Sequence, residues 1–218
     1  TTMWVHPGSR TLPDLVYGRS PTQALKQHSI VRGHQYSLLS WSPAAGSSWS
    51  PLVLSQRIKA DESAFEIGAD QIKQLCRYRQ DAGLTVVPVD GSYGNHHFLG
   101  ALQGVNCAIV ARLRRDRVLY GPPGVYGGRG RPAVHGARFA FAEPETWWQP
   151  DVETTFTDAT HGQVKLQAWH QLHAKQDAST VFTVIRAQIH QEHPVGKQPK
   201  AVWLAYIGPA LAIRTVWE

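Results

Sequence analysis

With 218 residues, 42% of them hydrophobic, the chain is long enough to bury a substantial core, as one large domain or two small ones. No apolar run approaches a membrane span and no basic-then-apolar leader opens the chain, while Cys76 and Cys107 are too few and too far apart for a disulfide framework or a zinc knuckle; a soluble, intracellular protein with two buried thiols is expected. The formal net charge of +6 is concentrated, because between Ala111 and Arg138 seven arginines stand against a single acid, Asp116. That is the footprint of a polyanion partner, most commonly nucleic acid, or else of a solvated basic face.

In chain order, TTMWV opens as a short strand and is followed, up to residue 31, by a polar stretch punctuated by prolines and glycines. HQYSLLSWS and PLVLSQRI read as two strands joined by a turn in SPAAGSSWS, together an antiparallel hairpin. Phe65, Ile67, Ile72, Leu75 and Cys76 then recur at near-helical spacing, predicting a helix that begins near Asp61 as cap and ends before Gly83.

Leu84 to Val89 is almost wholly apolar and β-branched, the pattern of a strand buried on both faces, and Asp90 stands where it stops. Gly91 and Gly94 permit a sharp turn, and Asn95 is placed to cap a short helix carrying Phe98, Leu99 and Leu102. Open α/β sheets collect their chemistry outside the carboxyl ends of such strands, which makes Asp90 a candidate site residue; its alternative role is that of a capping aspartate. Cys107 to Leu113 reads as a further buried strand. Hairpin, helix, strand, helix and strand in this order specify an α/β fold with an RNase H-like mixed sheet.

Beyond Arg117, GPPGVYGGRGRPAVHG reads as a loop or basic arm, and it does not join a strand to a helix as a phosphate-binding loop would. ARFAFA, VETTFT, QVKLQAWHQLHA, TVFTVIRAQIHQ and KAVWLAYIG come next as strands, and a helix is predicted from Pro209 through ALAIRTVWE. Arg112, Arg114, Arg115, Arg117, Arg129 and Arg131 are candidates for contact with a DNA backbone, which would give affinity without sequence readout. Trp147 and Trp148 are candidates for stacking on an unpaired base, against the alternative of local packing. His96 and His97, as neighbours, should point apart, and His190, Glu192 and His193 lack the spacing of a zinc enzyme.

VDGSYGN, IVARLRRDRVLYGPP, GGRGRP, HGARFAFAEPETWWQPD and KAVWLAYIGP, in that order, resemble DDE-type transposases of bacterial insertion sequences, the DDE superfamily endonucleases, over essentially the whole chain. The resemblance implies a metal-dependent transposase and endonuclease, in which three acids hold two Mg²⁺ or Mn²⁺ ions. These ions cut transposon-end DNA and join it to target DNA by in-line phosphoryl transfer. Asp90 matches the second acid and would be both catalytic and metal-binding. TTMWV resembles the residues immediately after the family's first Asp, and the final helix resembles the one that carries the Glu, with Glu218 standing too early to be it. On this comparison the two partner acids fall just before Thr1 and just after Glu218. The 218 residues then form one truncated RNase H-like catalytic domain, able to bind DNA without cutting it. Residues 117–208 would contain a β-rich basic insertion contacting DNA. The resemblance further implies a homodimer on paired ends, no membrane association, and a cytoplasmic, nucleoid-associated protein. The alternatives are a non-catalytic DNA-binding fragment, a decayed relic, or an RNase H-fold nuclease of another branch.

Overall fold

The computed structural model describes residues 2–4, 13, 15–19, 30–42, 49–79, 83–190 and 199–218. They belong to two compact units, Thr1–Tyr78 and Arg79–Glu218.

In the first unit, β1 (Thr2–Trp4), β2 (Val16–Arg19), β3 (Ile30–Ser40) and β4 (Leu52–Ile58) form one antiparallel sheet centred on β3. At eleven residues, β3 is long enough to serve three partners: Gly33 lies opposite Val16 of β2, His34 opposite Trp4 of β1, and Gln35 opposite Ile58 of β4. The β3–β4 pair is the hairpin foreseen from the sequence, although 43–48 of its turn lie outside the described residues. The strand β2 falls in a stretch read as turns, because four residues with a glycine among them give too short a pattern to register.

The helix α1 (Ala64–Tyr78) buries Ile67, Ala69 and Ile72 along one stripe. Gln71 on that stripe is polar, and its amide is satisfied: Ser37 Oγ of β3 donates to Oε1 at 2.6 Å, and Nε2 donates to the Ser37 carbonyl at 3.3 Å. Ser63, not Asp61, stands at the cap, since its carbonyl accepts the first helical bond from Ile67 N and its Oγ faces Glu66 N.

The second unit runs β5 (Val86–Val89), α2 (His96–Ala101), β6 (Ala108–Leu113), β7 (Val118–Tyr120), β8 (Arg138–Ala140), a 3₁₀ turn at Pro144–Thr146, β9 (Val152–Asp158), β10 (Gly162–Ala174), β11 (Asp177–His190), β12 (Val202–Ile207) and α3 (Ile213–Trp217). Eight strands make one sheet in the order β5–β6–β12–β11–β10–β7–β8, with β9 also on β10. The β5–β6 pair is parallel, joined across α2, and the other pairs are antiparallel, so the sheet is mixed. With the hairpin and helix that precede it, this is the RNase H-like α/β order. A bulge between Trp169 and Leu172, with Gln171 at φ 56°, divides the edge of β10 so that β9 pairs before it and β7 after it.

Each face of the central strands has its own core. On one, Leu166, Ala168, Ile185, Ala187 and Tyr206 pack with Ile213 of α3. On the other, Phe139, fully buried, meets Trp169 and Trp148 at 5.0 Å between ring centroids, and Phe141 stacks on Trp203 at 4.1 Å.

Two further expectations from the sequence differ from the structure. The strand ending at Asp90 is not buried on both faces: Val87 is 5% exposed, but Val86 is 54% exposed and Pro88 also faces solvent. In a pleated strand at the end of the sheet alternate residues turn outward, and an edge tolerates a proline. The last helix begins at Ile213 rather than Pro209. Gly208 packs so closely that a Cβ would lie 2.7 Å from the Cys107 carbonyl oxygen, and Tyr206 donates to the Pro209 carbonyl at 2.5 Å, which keeps this stretch from winding into helix.

Truncating Phe139 to Ala leaves a void among five aromatic rings. A loss of about 3–5 kcal/mol is expected, read as a lower midpoint in chemical denaturation of the full chain.

Candidate functional site

Asp90 comes directly after the last residue of β5, beside the parallel strand β6. Its Oδ1 accepts from Ser92 N at 2.8 Å and from Ser92 Oγ at 2.5 Å, the local turn that an Asp-Gly-Ser sequence favours. Oδ2 takes part in neither of these bonds. Partial burial pushes the Asp90 carboxyl up, but hydrogen bonds from Ser92 and the Tyr93 backbone outweigh it and hold the group below its ordinary value, ionised at neutral pH. Asn95 caps α2 as foreseen, its Oδ1 accepting from Phe98 N at 3.0 Å. Tyr93 is buried edge-on against Phe98 at 4.6 Å.

Two contacts fasten this turn to β6. Gly94 lies against the backbone of Arg112, where a Cβ would stand 2.5 Å from the carbonyl oxygen. Arg117 donates from Nη2 to the Gly94 carbonyl at 3.2 Å.

The arginines after the middle of β6 do not act alike. Arg112, Arg114 and Arg115, with Gly91, Asp116, Ala201 and Trp203, line a cleft of about 440 Å³ at the carboxyl end of β6. Arg114 grips Asp116 with two bonds, of 3.1 and 2.5 Å, and that pairing holds the Asp116 carboxyl below its ordinary range. Arg112 and Arg115 are exposed, and neither side chain has an ion pair or hydrogen bond among the described residues. Arg129 and Arg131 lie outside the cleft, exposed on the β7–β8 loop. Arg138 is bound to Glu143 at 2.6 Å.

Trp147 and Trp148 lie in the aromatic core of the second unit. Trp147 Nε1 donates to the Ala140 carbonyl at 2.7 Å, and Arg186 lies over its ring at 5.3 Å. The Trp148 carbonyl accepts from Trp169 Nε1 at 2.8 Å. The rings of His96 and His97 do not diverge: they tilt together at 4.1 Å on the first turn of α2. Glu192 and His193 lie outside the described residues, and Glu218 is paired with Arg214 at 2.8 Å. Sequence reasoning missed Ser92, although the Asp-Gly-Ser turn signalled it, and it missed Trp203, which only the sheet brings to the cleft.

A divalent cation needs several oxygen ligands. Asp90, with one carboxylate oxygen outside the Ser92 bonds, fits one ligand position. Asp116 is engaged by Arg114, and the described residues contain no group of three or more His, Cys, Asp or Glu able to hold a metal.

An acid at the carboxyl end of a parallel strand, beside an arginine-lined cleft in a mixed α/β sheet, defines the class as an RNase H-like domain. Residues 1–176 match the family described as DDE superfamily endonuclease, and the chain belongs to that family of DDE-type transposases. A comparison with curated proteins gave no match. The family acts on DNA as a transposase-like nuclease and generally uses divalent metal ions. No helix among the described residues is long and apolar enough to cross a membrane.

Gly94→Ala forces the turn off β6 and is expected to cost about 1–3 kcal/mol in thermal denaturation. A pH dependence is expected from His173, which is 1% exposed and 2.9 Å from His135, at the base of the β7–β8 loop and near Tyr120. Burial first, then His135, lower its pKa, against opposing contributions from the Gln171 backbone and Asp177. The native state therefore holds His173 neutral, while the unfolded chain takes up a proton near pH 6.5. Stability is complete above that pH and declines as the pH falls below it. Denaturation midpoints should drop between pH 7.5 and 5.5, and His173→Gln should flatten the drop.

Proposed function

We propose that this chain is the catalytic core of a transposase that cuts and joins transposon-end DNA by metal-dependent phosphoryl transfer, with Asp90 as one catalytic, metal-binding carboxylate. The observation that carries the reading is the position of Asp90: it ends a strand parallel to β6, with Oδ1 tied to Ser92 and Oδ2 outside those bonds. When bound, Mg²⁺ or Mn²⁺, two ions in this reading, would lower the pKa of an attacking water or hydroxyl and stabilise the leaving oxygen. Positioning falls to the neighbours of Asp90. Ser92 orients the carboxylate, while Gly94 and Arg117 hold its turn against β6. Further acids are required to complete such a site.

In this reading the arginines after β6 and on the β7–β8 loop meet DNA phosphates, and residues from about 117 to 208 form a β-rich DNA-contacting region. Its strands continue the sheet begun by β5 and β6, which supports a DNA surface built directly onto the catalytic one. The protein would work as a homodimer on paired ends, in the cytoplasm on the nucleoid. Trp147, held in the aromatic core, would offer a base only its solvent-facing part.

The test is cleavage of end-bearing DNA by the full-length protein in Mg²⁺ or Mn²⁺. Ser92→Ala is expected to cost about 10–100-fold, as loss of an outer partner of a metal ligand does. Asp90→Asn should cost more, with DNA affinity retained. Full cleavage by Asp90→Asn would overturn the assignment. Salt-dependent DNA binding by a wild-type protein that never cuts would favour the second reading, a DNA-binding protein without chemistry.

A further inference from the structure

We infer that the cleft beside Asp90 is a phosphate seat, in which Arg112 and Arg115 hold a phosphodiester of the strand presented to that carboxylate. The inference rests on the proposed DNA-cutting role and goes beyond it by separating six candidate arginines into different tasks.

The cleft opens at the carboxyl end of β6 and the start of β12, one strand over from the end of β5. Gly91, the residue after Asp90, forms part of its wall. Three arginines line it, and protein contacts neutralise only one, Arg114, which Asp116 clasps. Arg112 and Arg115 keep their side-chain donors free among the described residues. Two unpaired cations in one concavity repel each other in the free protein, and an anion between them relieves that repulsion. The planar fork of each guanidinium matches two oxygens of a phosphodiester, and the apolar Trp203 and Leu113 in the wall lower the local dielectric in which those bonds form. An ionised carboxylate next door would otherwise push a phosphate away, so a phosphate that approaches Asp90 needs opposing cations in the same recess. Arg117 is a positioning residue: its Nη2 is spent on the Gly94 carbonyl, and its buried Nε has no partner among the described residues.

The experiment is the salt dependence of binding of the full-length protein to a DNA duplex carrying its element's end. Arg112→Ala and Arg115→Ala should each reduce the slope of log affinity against log salt by about 0.9. The double variant should therefore shrink the affinity loss between 50 and 200 mM salt by about tenfold. Asp116→Ala, which frees Arg114 within the same cleft, should steepen the slope by about 0.9. Inorganic phosphate should compete with DNA less effectively in the double variant than in wild type. Because both side chains are exposed and unpartnered, thermal midpoints of the variants should match wild type. A folded double variant that keeps the wild-type slope and affinity overturns the phosphate seat and leaves the proposed function standing. A wild-type protein without salt-dependent binding overturns both.

Discussion

The parallel pairing of Val86–Val89 with Ala108–Leu113 is the constraint on which the candidate site depends. Parallel strands end on the same side, so the acid after β5 and the arginines that close β6 emerge together from one end of the sheet. An antiparallel pair of the same two sequences would place them at opposite ends. The crossover that makes the pair parallel is a six-residue helix, short because Asn95 caps it directly after the turn. Close packing then fixes the spacing between acid and cleft: Gly94 permits contact with the Arg112 backbone, and Arg117 bridges to the carbonyl of the same glycine.

The β-rich remainder of the second unit supports that arrangement through β12, which is hydrogen-bonded to β6 on one side and to β11 on the other. The long β10–β11 pair carries a different core on each face. Aromatic rings fill one, and aliphatic side chains closed by α3 fill the other. The aromatic face ends near the site, since Trp203 belongs both to that core and to the wall of the arginine cleft. Stability and the shape of the cleft therefore share a side chain. Charge is arranged with the same economy. Arg114 and Arg138 have carboxylate partners, Arg117 has a backbone partner, and Arg112 and Arg115 have none among the described residues.

Much of the fold is legible in the residues. The alternation of the β3–β4 hairpin, the periodicity of α1, the Asn95 cap and the apolar stretch before Asp90 are local patterns, and each produced its element. The strands β2 and β7 escaped because three or four residues make no pattern of their own; their partners at Ile30–Gly33 and Arg138–Ala140 stabilise them. The helix at the end begins later than its proline suggests, because a tight contact at Gly208 and a tyrosine hydrogen bond override local propensity.

The sequence by itself determined the family and the candidate residues: an acid at a strand's end, a concentration of arginines after the next strand, and ordered motifs that resemble one family, which the chain matches over residues 1–176. These are properties of residue type and spacing along the chain. Which arginine is free, which is paired with Asp116, and which braces the Asp90 turn were decided only by the tertiary structure. A guanidinium's partner is set by what the fold brings within hydrogen-bond reach, and residues 90–94, 112–117 and 201–203 come together only when β5 and β12 both pair with β6.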